Sequence, residues 1–136
     1  MVTEARLDPG LPPVMVDPSQ VRQVVMNLIL NASESLGDKS GVVTVSTGAV
    51  LCDEDYWREM EVFEDLAPGL YLWVEVADTG CGMDRETRER LFEPFFSTKF
   101  TGRGLGLAAV LGIMRAHQGA IRVESEPGKG TSFRVY

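Results

Sequence analysis

Three carboxamides, Gln23, Asn27 and Asn31, recur at steps of four in a stretch, Gln23 to Glu34, that is otherwise apolar nearly all round. On a helix this spacing lines them along one face. A helix apolar on every side is normally a buried one, and a buried amide left without a partner costs roughly 1–3 kcal/mol. Asn27 and Asn31 are therefore expected to bond or coordinate something lying against the helix. A second cluster is Asp78-Thr79-Gly80-Cys81-Gly82-Met83, a carboxylate directly after an apolar run. Its glycines let the backbone approach a flat ligand, and an Asp accepts from an exocyclic amine. Alone it also reads as a plain strand-ending turn. An aspartic protease would need two such loops on a larger, mostly β framework. A third is Gly102-x-Gly104-x-Gly106 ahead of an apolar helix, where backbone N–H groups can cradle phosphate. It is not a P-loop, and no strand precedes it as a dinucleotide fingerprint requires. Lys99 and Arg103 flank it, and Ser97 and Thr98 add hydroxyls. His117, the single histidine, falls in a helix's last turn; with no second His or Cys placed to join it as a metal ligand, it reads as structural or solvent-facing.

The elements that must position these groups follow from pattern. Residues 1–13, with three prolines and Gly10, form an extended lead-in, and Val14-Met15-Val16 is a short strand. Asp17 as N-cap, Pro18 at the first helical position and Gln20 at the capping-box position start a helix that runs to about Leu36 and stops at Gly37. Val42 to Val50 and Leu70 to Ala77 are strands. The residues between, 53–65, hold seven acidic side chains and one basic, and read as a solvated connection or short surface helix. Asp84 caps a short charged helix to Leu91. Leu107 to His117 is an apolar helix closed by Gly119 as its C′ glycine. Ala120–Ser125 and Thr131–Tyr136 are strands joined by the Glu126 to Gly130 turn. The order predicts an α+β two-layer sandwich, a mixed sheet of about five strands with about three helices on one face. With 136 residues and 44% hydrophobic composition the chain is one ordinary domain. No apolar run spans a bilayer, no signal pattern opens the chain, and the expected compartment is the cytoplasm. The last strand ends without a tail, and the chain is expected to have been cut there. Cys52 and Cys81 have no metal-ligand or redox spacing. A formal charge of −7 argues against nucleic acid and means that an anionic ligand needs local compensation.

In order, Asn27-Leu28-Ile29-Leu30-Asn31-Ala32, Asp78 to Met83, Leu91-Phe92-Glu93-Pro94-Phe95-Phe96-Ser97-Thr98-Lys99, Gly102 to Leu107 and Gly130-Thr131-Ser132-Phe133 resemble the N, first glycine, F, second glycine and Gly-Thr boxes of sensor histidine kinases. The resemblance covers Leu11 to Tyr136, with residues 1–10 as lead-in, and its nearest character is that of nitrogen-regulator-like and hybrid kinases. It implies the Bergerat ATP-binding fold shared with gyrase B, the mismatch-repair MutL proteins and the heat-shock chaperone ATPase. It implies ATP and Mg²⁺ as cofactors and γ-phosphoryl transfer to a histidine on a separate dimerisation domain. By resemblance, Asp78 accepts from the adenine amino group, and Gly80, Gly82, Met83 and Thr131 line its pocket. Asn31 is the Mg²⁺ ligand, and Asn27 lies beside the phosphates. Thr98, Lys99, Gly102, Arg103, Gly104, Leu105, Gly106 and Leu107 supply lid and phosphate contacts, with Asn27, Lys99 and Arg103 as the catalytic set. The implied partners are the dimerisation and phosphoacceptor domain of the same kinase and a response regulator; nucleic acid and membrane contact are not expected of this segment.

Two departures stand out. No phosphoacceptor histidine is present, so autophosphorylation by this chain alone is not expected. Glu34 stands where some members carry a lysine, which puts more weight on Lys99 and Arg103. Three rivals are a gyrase-type or chaperone-type ATP hydrolase, a protein-serine kinase of the anti-sigma-factor kind, and a degenerate binding module. The hydrolases place a Glu four residues before the metal Asn to activate water; Asn27 stands there and cannot act as a base.

Overall fold

The computed structural model describes residues 2–11, 16–36, 40–57, 60, 66–92 and 106–136. In chain order the elements are β1 (Val2–Arg6), α1 (Pro18–Leu36), β2 (Val42–Cys52), α2 (Glu54–Trp57), β3 (Gly69–Asp78), α3 (Arg85–Arg90), α4 (Gly106–Ala116), β4 (Ile121–Glu126) and β5 (Gly130–Val135). The strands make one mixed sheet in the order β1-β2-β3-β5-β4. β1 is parallel to β2 and every other pair is antiparallel. The extended lead-in is thus more than a linker, because Val2–Arg6 adds an edge strand to the sheet.

Strand alternation sorts the sheet into two faces. Val45, Val76, Phe133 and Val123 line up in register across four strands, and Val43, Val74, Val135 and Ile121 lie on the same face. Onto it α1 lays Val24, Leu28, Ala32 and Leu36, again at steps of four. Val110 and Met114 of α4 and Leu91 at the end of α3 complete this core. α1 is not buried all round: Met26 and Leu30 are 50% and 54% exposed, because among the described residues no further layer covers its outer side.

The opposite face has its own smaller cluster of Cys52, Trp57, Met60 and Ala120, joined by Val50, Tyr56, Tyr71 and Tyr136. Trp57 meets Tyr71 edge-on at 4.7 Å, and the Tyr56 and Tyr136 hydroxyls are 2.6 Å apart. So the acidic connection does contain a short helix, but its apolar residues turn inward: Trp57 is 2% exposed. The charge count of that stretch hides two residues that the sheet needs as cover.

The helix ends differ in detail from expectation. Asp17 caps α1, accepting from the Ser19 N–H at 3.0 Å. The Asp17 N–H, expected to go to Gln20 in a capping box, donates instead to His117 Nε2 at 3.1 Å. His117 Nδ1 is 2.9 Å from the Ile113 carbonyl, so Nδ1 carries the proton and Nε2 accepts. The histidine is structural, and it ties the start of α1 to the end of α4. At that end Gln118, not Gly119, takes the left-handed conformation (φ 56°). Gln118 N–H donates to Arg115 O (3.1 Å) and Gly119 N–H to Met114 O (2.8 Å), a Schellman closure. Gly119 is needed for space instead: a Cβ there would sit 2.9 Å from the Tyr136 carbonyl. Asp84 caps α3 as expected, accepting from Thr87 N–H at 2.8 Å. The expected strand at Val14–Val16 lies outside the described residues except for Val16, which is not in a strand, and the Gly37 stop also lies outside them.

Candidate functional site

At one end of the sheet the apolar rows give way to a polar one. The rows Val76–Phe133–Val123 and Val74–Val135–Ile121 face the helices. The next positions on the same face are Asp78, Thr131 and Ser125. Asp78 and Thr131 are 8% and 5% exposed, the two buried polar residues of the described core. Asp78 Oδ1 accepts from Gly80 N–H (2.9 Å), Thr131 N–H (3.3 Å) and Ser35 Oγ–H (3.4 Å). Ser125 Oγ accepts from Met83 N–H at 2.8 Å and lies 2.9 Å from Thr131 Oγ1. The row opens on a cleft of about 490 Å³ lined by Asp78, Arg88, Ser125, Lys129, Gly130 and Thr131. Burying a carboxylate is costly unless donors converge on it, and here two backbone amides and a hydroxyl do.

The loop after β3 is pinned on both sides. Thr79 ties it to the start of β2, donating its N–H to Val42 O (3.2 Å) and accepting the Val42 N–H on Oγ1 (3.0 Å). Cys81 N–H donates to Ser35 O (3.4 Å), and Gly128 N–H donates to Cys81 O (2.7 Å). Gly80 packs so closely on Ser35 that a Cβ would come within 2.7 Å of the Ser35 carbonyl oxygen. Gly82, at φ +68°, is pressed against the Glu126 carbonyl and Pro127 of the β4–β5 turn. Cys81 itself is exposed.

The amide stripe of α1 runs toward this loop. Gln23 is exposed and takes no part. Asn27 donates its Nδ2–H to the Gly106 carbonyl at 3.3 Å, joining α1 to the first turn of α4. Asn31 is half-buried, and among the described residues its carboxamide has no hydrogen-bond partner. One turn further, Ser35 reaches Asp78. A single helix face therefore links the start of α4 to the carboxylate at the end of β3. Met83 contributes its N–H to Ser125 and packs its side chain on the core, as does Leu107. Thr98, Lys99, Gly102, Arg103, Gly104 and Leu105 lie outside the described residues. Among the described residues no three His, Cys, Asp or Glu side chains group to hold a metal, and no helix is long and apolar enough to cross a membrane.

Two residues of this arrangement escape a reading by motif. Ser35 extends the four-residue spacing of Asn27 and Asn31. Ser125 is polar at a core-facing position of β4, after Ile121 and Val123 in strict alternation. Each signal was present in the pattern.

Fold and site together define an α+β sandwich of the Bergerat ATP-binding class. The chain belongs to the family described as histidine kinase-, DNA gyrase B-, and HSP90-like ATPase, whose pattern matches residues 16–136. It is 39% identical over 128 residues to the sensor histidine kinase ZraS of Klebsiella oxytoca, covering 94% of this chain and 24% of that one. It is 40% identical over 128 residues to the sensory histidine kinase/phosphatase NtrB of Rhodobacter capsulatus, covering 94% and 34%. Among solved structures, full-length ShkA in complex with AMPPNP superposes with a TM-score of 0.73 at 28% identity, over 98% of this chain and 24% of that one. The mycobacterial sensor histidine kinase MprB gives a TM-score of 0.71 at 26% identity, over 98% and 78%. The chain thus spans only about a quarter to a third of these two curated relatives.

Proposed function

We propose that this chain, from residue 11 to 136, is the catalytic part of a two-component sensor kinase. It binds ATP with Mg²⁺ and passes the γ-phosphoryl group to a histidine on a separate helical dimerisation domain, for onward transfer to a response regulator. Its expected compartment is the cytoplasm. The observation that carries the reading is the shared face of α1: Asn27 at the start of α4, Asn31 between, and Ser35 at Asp78.

In this reading Asp78 accepts from the adenine amino group, with Thr131 beside it and Gly80, Gly82 and Met83 shaping the pocket by backbone. The start of α4, from Gly106 and Leu107, aims its N–H groups at the phosphates. Lys99 and Arg103, with Thr98, Gly102, Gly104 and Leu105, complete the phosphate side and offset the chain's negative charge. A divalent ion fits the residues present: Asn31 offers one amide oxygen, and Mg²⁺ takes few protein ligands, completing its shell with phosphate oxygens and water. When bound it neutralises charge on the transferring phosphate. Asn27 bears on the type of reaction. It is held as a donor to the Gly106 carbonyl, and a carboxamide has no basic site with which to activate water. This supports transfer over hydrolysis.

Calorimetry on the 136-residue chain tests the reading. ATP should bind with Mg²⁺, Asn31→Ala should weaken Mg²⁺-dependent binding far more than metal-free binding, and Asp78→Asn should weaken ATP by presenting a donor where an acceptor is needed. Turnover of ATP to ADP should be very slow. Robust hydrolysis by the isolated chain would sink the kinase assignment in favour of an ATPase.

A further inference from the structure

We infer that Ser125 is a positioning residue that fixes the polarity of the Thr131 hydroxyl and so sets the preference for an amino-purine over a keto-purine. The inference rests on the reading that Asp78 and Thr131 face the base. Its ground is the proton count around one oxygen. Ser125 Oγ has one proton and three neighbours: the Met83 N–H at 2.8 Å, the Gly130 carbonyl at 3.2 Å and Thr131 Oγ1 at 2.9 Å. The Met83 N–H can only donate, so Ser125 accepts from it. The Gly130 carbonyl can only accept, so it takes the Ser125 proton. The remaining bond must then be donated by Thr131. The opposite order leaves two acceptors, Ser125 Oγ and Gly130 O, facing each other with no proton between them.

With its proton committed to Ser125, Thr131 shows only lone pairs to the cleft. Its N–H is committed to Asp78 Oδ1. The edge of the site is thereby a pair of acceptors, a carboxylate and a hydroxyl oxygen. An exocyclic amine, with two N–H donors, suits that pair directly. A carbonyl oxygen at the same place meets acceptors on both sides. Asp78 supplies the first acceptor, and Ser125, from a strand further over, enforces the second.

The test compares ATP with inosine triphosphate, which replaces the amine by a carbonyl, in competition calorimetry on the 136-residue chain. The wild type should prefer ATP. Ser125→Ala frees the Thr131 hydroxyl to turn its proton into the cleft, and the ATP to inosine triphosphate ratio should fall about fivefold, the worth of one ordinary hydrogen bond. Ser125→Thr, which keeps the hydroxyl, should restore the ratio. In a Thr131→Val background Ser125→Ala should change the ratio no further. A thermal melt reports whether Ser125→Ala folds; if it does not, Ser125→Cys, a weak donor and acceptor of similar shape, must move the ratio in the same direction. An unmoved ratio, or an equal loss for both nucleotides, overturns the inference and leaves Ser125 as a support for the loop. Failure of both nucleotides to bind overturns the reading of the site and this inference with it.

Discussion

Gly82 is where the loop and the β4–β5 turn meet, and replacing it by alanine separates two costs that are usually confounded. Its φ of +68° strains any residue with a Cβ, at roughly 1–2 kcal/mol. The added carbon would also overlap the Glu126 carbonyl, lying 2.7 Å from its carbon and 3.2 Å from Pro127 Cα. Both neighbours are backbone, so relief requires the turn to move. That movement disturbs the Gly128 N–H to Cys81 O bond (2.7 Å) and the Met83 N–H to Ser125 Oγ bond (2.8 Å), each worth about 1 kcal/mol. Gly82→Ala should therefore destabilise the chain by about 3–4 kcal/mol in urea unfolding. Two other glycines calibrate it. Gly128 has φ +80° and nothing within 4 Å of where a methyl would stand, so Gly128→Ala should show the conformational cost alone, about 1–2 kcal/mol. Gly112 lies in α4 with open space around it, and Gly112→Ala should stabilise by about 0.5–1 kcal/mol. If Gly82→Ala proves no worse than Gly128→Ala, the loop does not press on the turn as described.

Phe133, buried between Val76 and Val123, should cost about 3–5 kcal/mol on truncation to alanine, read as a lowered urea midpoint with little change in slope. A maleimide should label Cys81 and spare Cys52 in the native chain: Cys81 is exposed, whereas burial pushes the Cys52 thiol up; equal labelling would contradict that burial. Acid should weaken both helix starts. The bonds to Ser19 and to Thr87 hold Asp17 and Asp84 below the usual carboxylate value. A depressed carboxylate contributes stability that is fully present above its unfolded value and is lost as pH falls through its folded one. Asp17→Asn and Asp84→Asn, which keep an acceptor without the charge, should flatten the loss of stability between neutral and acid pH.

Much of the scaffold is legible in the sequence because its signals are local. The Asp17-Pro18 start of α1, the β-branched run of β2 and the Asp84 cap each depend on neighbours a few residues away. What escapes is set by partners far along the chain. His117 displaces Gln20 from the Asp17 N–H because the fold brings residues a hundred positions apart together. Gln118 takes the left-handed position, and Gly119 after it serves the close approach to Tyr136, at the last strand's end. Trp57 and Met60 are masked by acidic neighbours, although a sheet face open to water needs such cover. At the site, glycine-flanked Asp78 stands out by type. Ser35 and Ser125 do not, since a serine is ordinary anywhere until its position is set against the helical or strand period.

The two asparagines of α1 have the same side chain one turn apart, yet their surroundings differ, and aspartate exposes the difference. Asn27 is a donor to the Gly106 carbonyl. Asn27→Asp replaces that N–H by a carboxylate oxygen facing a carbonyl oxygen, and losing the bond in a partly buried place should cost about 1–3 kcal/mol. The Asn31 side chain makes no hydrogen bond to the described residues, so Asn31→Asp breaks none and should destabilise the nucleotide-free chain less than Asn27→Asp does. Its main effect should appear with nucleotide and metal present. Urea unfolding of both variants without nucleotide separates the two roles. Equal destabilisation would mean that Asn31 is as much a structural tie as Asn27, and would remove the reason for regarding its carboxamide as held ready for a ligand.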